Sequence, residues 1–257
     1  MHVKLGFLRT FRVLACAVVF GTGLFAQASA EPQCPASPPL ASLKLPHFQA
    51  ALAAGPQAVI VALGSSSTEG VMASDQAHDY PSELQALLGD RLPRAHVAVL
   101  NRGIGGQDAP EELARLNADV LAVRPHLVIW QVGANGAMRH ADPAEFKRLV
   151  TDGVRRMQAA GIDVILMDNQ RSPRVLASSQ HGAMEAALAE VAQETGVGLF
   201  SRGALMDAWS RDGAPAVQFI AADGLHHNDR GYFCVAKVLA ESIVAGIHHN
   251  RPVTASR

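Results

Sequence analysis

Apolar and polar positions along this chain follow two rhythms. Nearly continuous apolar runs occur at residues 58–63, 96–100, 126–132, 162–167 and 197–200. They are short, rich in Val, Ile and Leu, and bounded by Gly, Pro or Asn, which predicts strands buried on both faces. Between them apolar residues recur every three or four positions. Leu113, Leu116, Val120 and Leu121 mark one such stripe, Phe146, Leu149, Val150, Val154 and Met157 a second, and Tyr232, Val235, Ala236, Leu239 and Ile243 a third. These are helices with one buried face. Further helices are predicted over 46–54, 80–88, most of 175–195, and 204–210.

Punctuation agrees with the periodicity. Asp142-Pro143-Ala144-Glu145 is a strong helix start, and Asp108 with Glu111 forms a capping-box pair. Gly55-Pro56, Arg124-Pro125 and Gly161 are stops. Strands alternating with helices imply right-handed crossovers and a parallel sheet covered on both faces. The predicted fold class is α/β, a three-layer αβα sandwich with a five-stranded parallel sheet. Ligands bind outside the carboxyl ends of such strands. Three polar loops fall at those ends, residues 65–69, 102–107 and 133–136.

The first thirty residues stand apart. Lys4, Arg9 and Arg12 make a basic start, residues 13–25 are apolar but short for a bilayer span, and Ala28-Ser29-Ala30 offers small residues for cleavage. The expected organisation is a signal peptide over 1–30, an extended Pro- and Ser-rich leader over 31–45, and one domain over 46–250. Composition is ordinary for a globular chain, 49% hydrophobic and 18% charged. Without the signal peptide, 19 basic face 23 acidic residues. No basic stripe offers a nucleic-acid surface, and no second apolar segment predicts membrane insertion. The mature protein is expected to be periplasmic or secreted. Export also changes the reading of the cysteines. Cys16 leaves with the signal peptide, and Cys34 and Cys234 can then pair in an oxidising compartment.

Candidate chemistry centres on Gly64-Ser65-Ser66-Ser67-Thr68-Glu69-Gly70. A serine hydroxyl becomes a competent nucleophile when a base removes its proton. Asp223-Gly224-Leu225-His226 places a carboxylate three residues before a histidine, close enough to hold Nδ1 and turn Nε2 outward. Acyl transfer also needs donors for the developing oxyanion. A glycine N–H from Asn101-Arg102-Gly103-Ile104-Gly105-Gly106 and the amide of Asn135 follow two other strands. On composition alone Ser65, Ser66 and Ser67 are all candidates, as are Gly103 and Gly106. Asp168-Asn169-Gln170-Arg171 ends the fourth strand, and Gln170 or Arg171 is a candidate for substrate contact. The His226-His227 pair lacks the spaced Cys, His or carboxylate partners of a metal site.

Taken in order, these segments resemble the blocks of the SGNH hydrolase superfamily, the GDSL-type esterases and lipases. The first block, Gly-Asp-Ser-x-Thr-x-Gly, is similar to residues 64–70 and implies Ser66 as nucleophile. The second implies Gly106, with Gly103 an alternative register. The third, Gly-x-Asn-Asp, is similar to Gly133-Ala134-Asn135-Gly136 and implies Asn135 in the oxyanion hole. The fourth, Asp-x-x-His, is similar to Asp223–His226. Two positions depart: Ser65 and Gly136 stand where the family has aspartates. The resemblance implies a flavodoxin-like sheet and a serine esterase with catalytic Ser66, Asp223 and His226. Its oxyanion hole would be Ser66, Gly106 and Asn135. It implies no cofactor and no metal, and a small-molecule or glycan acyl ester as substrate. The alternatives are an acyltransferase acting on glycan hydroxyls, or a non-catalytic glycan-binding module on the same fold.

Overall fold

The computed structural model describes residues 2, 32–38, 43–55 and 57–249, so the expected signal peptide lies, residue 2 apart, outside the described residues. Everything described below belongs to the unit that begins at Pro32. In chain order its elements are α1 (Pro46–Ala54), β1 (Gln57–Gly64), α2 (Ser66–Glu69), α3 (Tyr80–Arg91), β2 (His96–Gly103) and α4 (Ala109–Ala114). They continue with β3 (Leu127–Gln131), α5 (Ala134–Met138), α6 (Pro143–Ala159), β4 (Asp163–Met167) and α7 (Pro173–Leu176). The last four are α8 (His181–Thr195), β5 (Gly198–Phe200), α9 (Arg202–Arg211) and α10 (Asp229–His249).

The five strands form one sheet in the order β2-β1-β3-β4-β5, and each neighbouring pair is parallel. Side chains alternate across β1 with the period of two that a pleated strand dictates. Ile60 and Ala62 enter one core with Leu84, Leu88, Val235, Leu239 and Ile243, under α1, α3 and α10. Val61 and Leu63 enter the other with Val150, Val154, Met157, Leu188 and Val191, under α6 and α8. The five expected strands are therefore five parallel strands with helices on both faces. Because β2 and β3 flank β1, the order of progression reverses at β1. In open α/β sheets the ligand crevice lies at such a reversal, beyond the carboxyl ends of the strands.

Local differences from the sequence reading have local causes. The serine loop and the Gly133 loop are not open turns but the single-turn helices α2 and α5, too short to carry a detectable period. β2 continues through Asn101-Arg102-Gly103 because those residues pair with Ala62, Leu63 and Gly64 of β1. The stripe from Leu113 to Leu121 is split, with α4 ending at Ala114 and a π-turn over Asn117–Leu121. Residues 175–195 hold α7, a turn around Ser178, and α8.

The leader has no regular structure over 32–38 and 43–45, yet it is not loose. Leu43 and Leu45 are buried in the core, and Cys34 is disulfide-bonded to Cys234 of α10, with Cα atoms 5.4 Å apart. No helix among the described residues is long and apolar enough to cross a membrane.

Candidate active site

β1 delivers the serine segment to the crevice. Ser65 is the N-cap of α2 and Ser66 its first residue, so the Ser66 N–H is among those a helix start leaves without an intrahelical partner. The three serines have different fates. Ser65 is 3% exposed, and its N–H and Oγ both donate to Oε1 of Gln131, at 3.2 and 3.1 Å. Ser67 is buried. Ser66 is half-buried and its Oγ lies 2.7 Å from Nε2 of His226. Thr68 Oγ1 also donates to Gln131 Oε1, at 3.2 Å. The last residue of β3 thus gathers three donors from the serine segment.

The approach of α2 to β2 demands glycine at 103. A Cβ there would sit 2.0 Å from the Glu69 nitrogen and 2.5 Å from its Cα. Gly103 is thus a packing residue, while Gly106, with a φ of +77°, lies in the tight turn beyond it.

The histidine comes from the loop before α10. Ile220 and His227 form an isolated antiparallel bridge, and Ala221 N–H donates to His226 O at 2.8 Å. Within this narrow loop Asp223 Oδ1 accepts the N–H groups of Leu225 and His226 at 3.0 and 3.1 Å, while Oδ2 lies 2.5 Å from His226 Nδ1. Burial disfavours the Asp223 charge, but these donors outweigh it and hold the carboxyl below its ordinary range. An ionised Asp223 fixes the proton on Nδ1 and leaves Nε2 to accept from Ser66. His227 plays a different part. It is fully buried, its Nδ1 lies 3.0 Å from Phe219 O, and burial together with Arg202 pushes its pKa down to about 3. It is a neutral anchor of the loop.

On the other side of Ser66 lie the glycine turn and α5. Gly105 passes close by, since a Cβ there would be 3.9 Å from that of Ser66. Asn135 Nδ2 donates to Gln107 O at 2.7 Å, which fixes the amide plane and leaves its second hydrogen for another acceptor. Arg139 Nη2 donates to Gly106 O at 2.6 Å. Arg115 joins the two halves of the site: Nε to Gln107 Oε1 at 2.6 Å and Nη2 to Gly64 O at 2.9 Å.

Gln170 and Arg171, the candidates for substrate contact, both engage other protein groups. Gln170 is 1% exposed; its Nε2 donates to Leu225 O at 2.9 Å and its Oε1 accepts from Arg202 Nη2 at 2.7 Å. It sits under the histidine loop and fixes it from below. The Arg171 guanidinium is held by Glu185 and Asp207, so it ties α8 to α9. The polarity of residues 168–171 did not reveal the burial of Gln170 or the ion pairs of Arg171. Arg202, fully buried with Nε on Asp168 O at 3.1 Å, has no sequence signal at all. Gln131 had one: it is a polar residue at the end of an otherwise apolar strand.

Among the described residues no group of three or more His, Cys, Asp or Glu is arranged to hold a metal ion. A parallel 2-1-3-4-5 sheet with serine, glycine, asparagine and Asp-x-x-His segments at its carboxyl ends defines an SGNH-type hydrolase. Residues 33–249 match the non-GDSL lipase-like family, and the chain belongs to it. The serine at 65 is in keeping with that description. Thioesterase 1/protease 1/lysophospholipase L1 of Escherichia coli K12 is 25% identical over 212 residues, 82% of this chain and 94% of the relative.

Solved structures share the fold. A two-domain esterase active on acetylated mannans superposes with a TM-score of 0.69 at 23% identity. The match covers 84% of this chain but only 57% of that esterase. An acetyl-xylooligosaccharide esterase from Geobacillus stearothermophilus, solved as a variant, gives 0.60 at 21% identity, over 79% of this chain and 99% of that one. The family match makes this chain a lipase-like member of the SGNH-type hydrolases, and the solved structures share its fold.

Proposed function

We propose that the chain is an exported serine esterase that removes short acyl groups, acetyl above all, from carbohydrate hydroxyls. The observation that carries the mechanism is the continuous line Asp223 Oδ2–His226 Nδ1, His226 Nε2–Ser66 Oγ, at 2.5 and 2.7 Å, in the crevice between β1 and β3. Ser66 Oγ attacks the ester carbonyl while His226 Nε2 takes its proton. Asp223 stabilises the resulting imidazolium. The oxyanion is received by the N–H groups of Ser66 and Gly106 and the free amide hydrogen of Asn135. His226 then protonates the departing alcohol, and water, activated by the same imidazole, releases the acid from the acyl-enzyme. Nothing in these steps calls for a cofactor.

The substrate class is supported by the acetylated glycans on which two structural neighbours act. It is also supported by the exposure of Gly105 and Gly106 beside the half-buried serine, which leaves the site open to a bulky alcohol portion. Export is supported by the signal-peptide pattern of residues 1–30. The test is acetate release from acetylated xylo- and manno-oligosaccharides and turnover of p-nitrophenyl acetate, with and without Ser66→Ala. The variant is expected to lose at least about a thousandfold in kcat, since members of such a triad act as a unit. A variant that keeps wild-type turnover excludes Ser66 as the nucleophile. A wild type that cleaves only long-chain esters excludes the glycan substrate.

A further inference from the structure

The family pattern has an aspartate directly after the oxyanion-hole asparagine, and this chain has Gly136. The space beside Gly136 is nevertheless filled by a carboxylate from another segment. A Cβ on Gly136 would lie 2.5 Å from Asp108 Oδ2 and 3.2 Å from both Cγ and Oδ1. Asp108 is 5% exposed. The closeness of Oδ2 to Gly136 sets the carboxylate against the first turn of α5, and burial there raises its pKa, opposed by the N–H groups of Ala109 and Gly136. Its Oδ1 has no hydrogen-bond partner among the described residues.

The two residues before Asp108 touch the same element. Gln107 O takes the Asn135 amide at 2.7 Å, and Gly106 O takes Arg139 at the end of α5, at 2.6 Å. Residues 106–108 therefore hold α5 at three consecutive points, and Asp108 is the one placed at Gly136. We propose that Asp108 is the positioning carboxylate of the oxyanion hole. It places a carboxylate from the turn after β2 beside position 136, where the family block has an aspartate, and position 136 is glycine to admit it. The proposal rests on the reading of Gly106 and Asn135 as oxyanion donors. Without Asp108 the first turn of α5 is free to shift, and the Asn135 amide with it. Displacements of about 1 Å in such groups cost as much as a hundredfold in rate.

The experiment compares wild type with D108N, D108A, G136D and the exchange D108G/G136D, on p-nitrophenyl acetate, with a melting curve for each. D108A is expected to lower kcat by about ten- to a hundredfold with KM changed less than about threefold, because the defect lies in transition-state stabilisation. D108N keeps the shape and one acceptor oxygen and is expected to recover part of that loss. G136D alone brings two carboxylates together and is expected to lose at least as much as D108A. Moving the aspartate, in D108G/G136D, should restore at least about tenfold over G136D.

A carboxylate that merely capped α4 would lower the melting temperature and leave kcat alone. The proposal is overturned if D108A and D108N both melt lower but keep kcat within twofold of wild type, or if a folded exchange variant is no better than G136D. Should the exchange variant fail to fold, the kcat values of D108A and the near-isosteric D108N decide. The Ser66→Ala control separates the two levels: turnover surviving in it refutes the catalytic reading itself, independently of Asp108.

Discussion

Glu112 offers a sharp thermodynamic test of how the site's foundations are built. It lies on α4, has no exposed surface, and accepts Trp130 Nε1 on Oε2 at 2.7 Å, next to the strand-ending Gln131. Its other oxygen has no hydrogen-bond partner among the described residues. Burial outweighs the help of Trp130 and Arg115 and raises its pKa to about 8 from an ordinary 4.5. The folded protein thus holds a proton that the unfolded chain releases above pH 4.5. Unfolding releases that proton, so Glu112 lowers stability as pH rises from the unfolded to the folded value, and the loss levels off near pH 8. The slope approaches about 1.4 kcal/mol per pH unit, or roughly 2–3 kcal/mol between pH 5 and pH 7.

Glu112→Gln copies the protonated acid, keeps an acceptor for Trp130 and cannot titrate. Asp163 and Asp168 are also raised by burial, but their contributions are common to both proteins and cancel in the difference. Urea unfolding of both proteins at pH 5, 6, 7 and 8 should show the variant gaining on wild type by that amount as pH rises. Parallel stability curves would refute a buried, protonated Glu112.

Two further outcomes follow from buried connections. Gln170→Ala leaves Arg202 Nη2 and Leu225 O unpaired beneath the histidine loop, so it should cost about 1–3 kcal/mol of stability. It should also lower kcat more than it raises KM; an effect confined to stability would show that the loop does not need this support. Cys34→Ser opens a bridge spanning 200 residues of sequence and is expected to cost about 2–4 kcal/mol, a fall in Tm of roughly 5–15 °C. An unchanged melting temperature would mean the unfolded chain gains nothing from the release.

What the sequence made legible was whatever repeats or punctuates. Apolar runs located β1 to β5, and the stripes of α6 and α10 matched the residues that are buried, with Leu149 only partly so. The order of the polar loops located the crevice. What stayed illegible depends on contacts between distant segments. Nothing near residue 65 says that Gln131 will absorb that serine's hydroxyl, which is why the three serines separate only in three dimensions. Gln170 read as a candidate for substrate contact and Arg202 carried no signal, yet the two form a buried bracket. Gly136 read as a lost aspartate, whereas the space beside it is occupied from Asp108. The helices α2 and α5 escaped because four or five residues cannot display a period of 3.6.

The most direct measurement of the central claim is covalent trapping. The purified protein is treated with diethyl p-nitrophenyl phosphate, and the p-nitrophenol burst is quantified and the labelled peptide sequenced by mass spectrometry. The geometry at Ser66 predicts one equivalent released per chain, the phosphoryl group on Ser66, and labelling slowed by orders of magnitude in His226→Ala. Stoichiometric labelling at Ser65, at Ser67 or at a residue outside the crevice would contradict it, as would labelling at Ser66 that proceeds equally fast without His226.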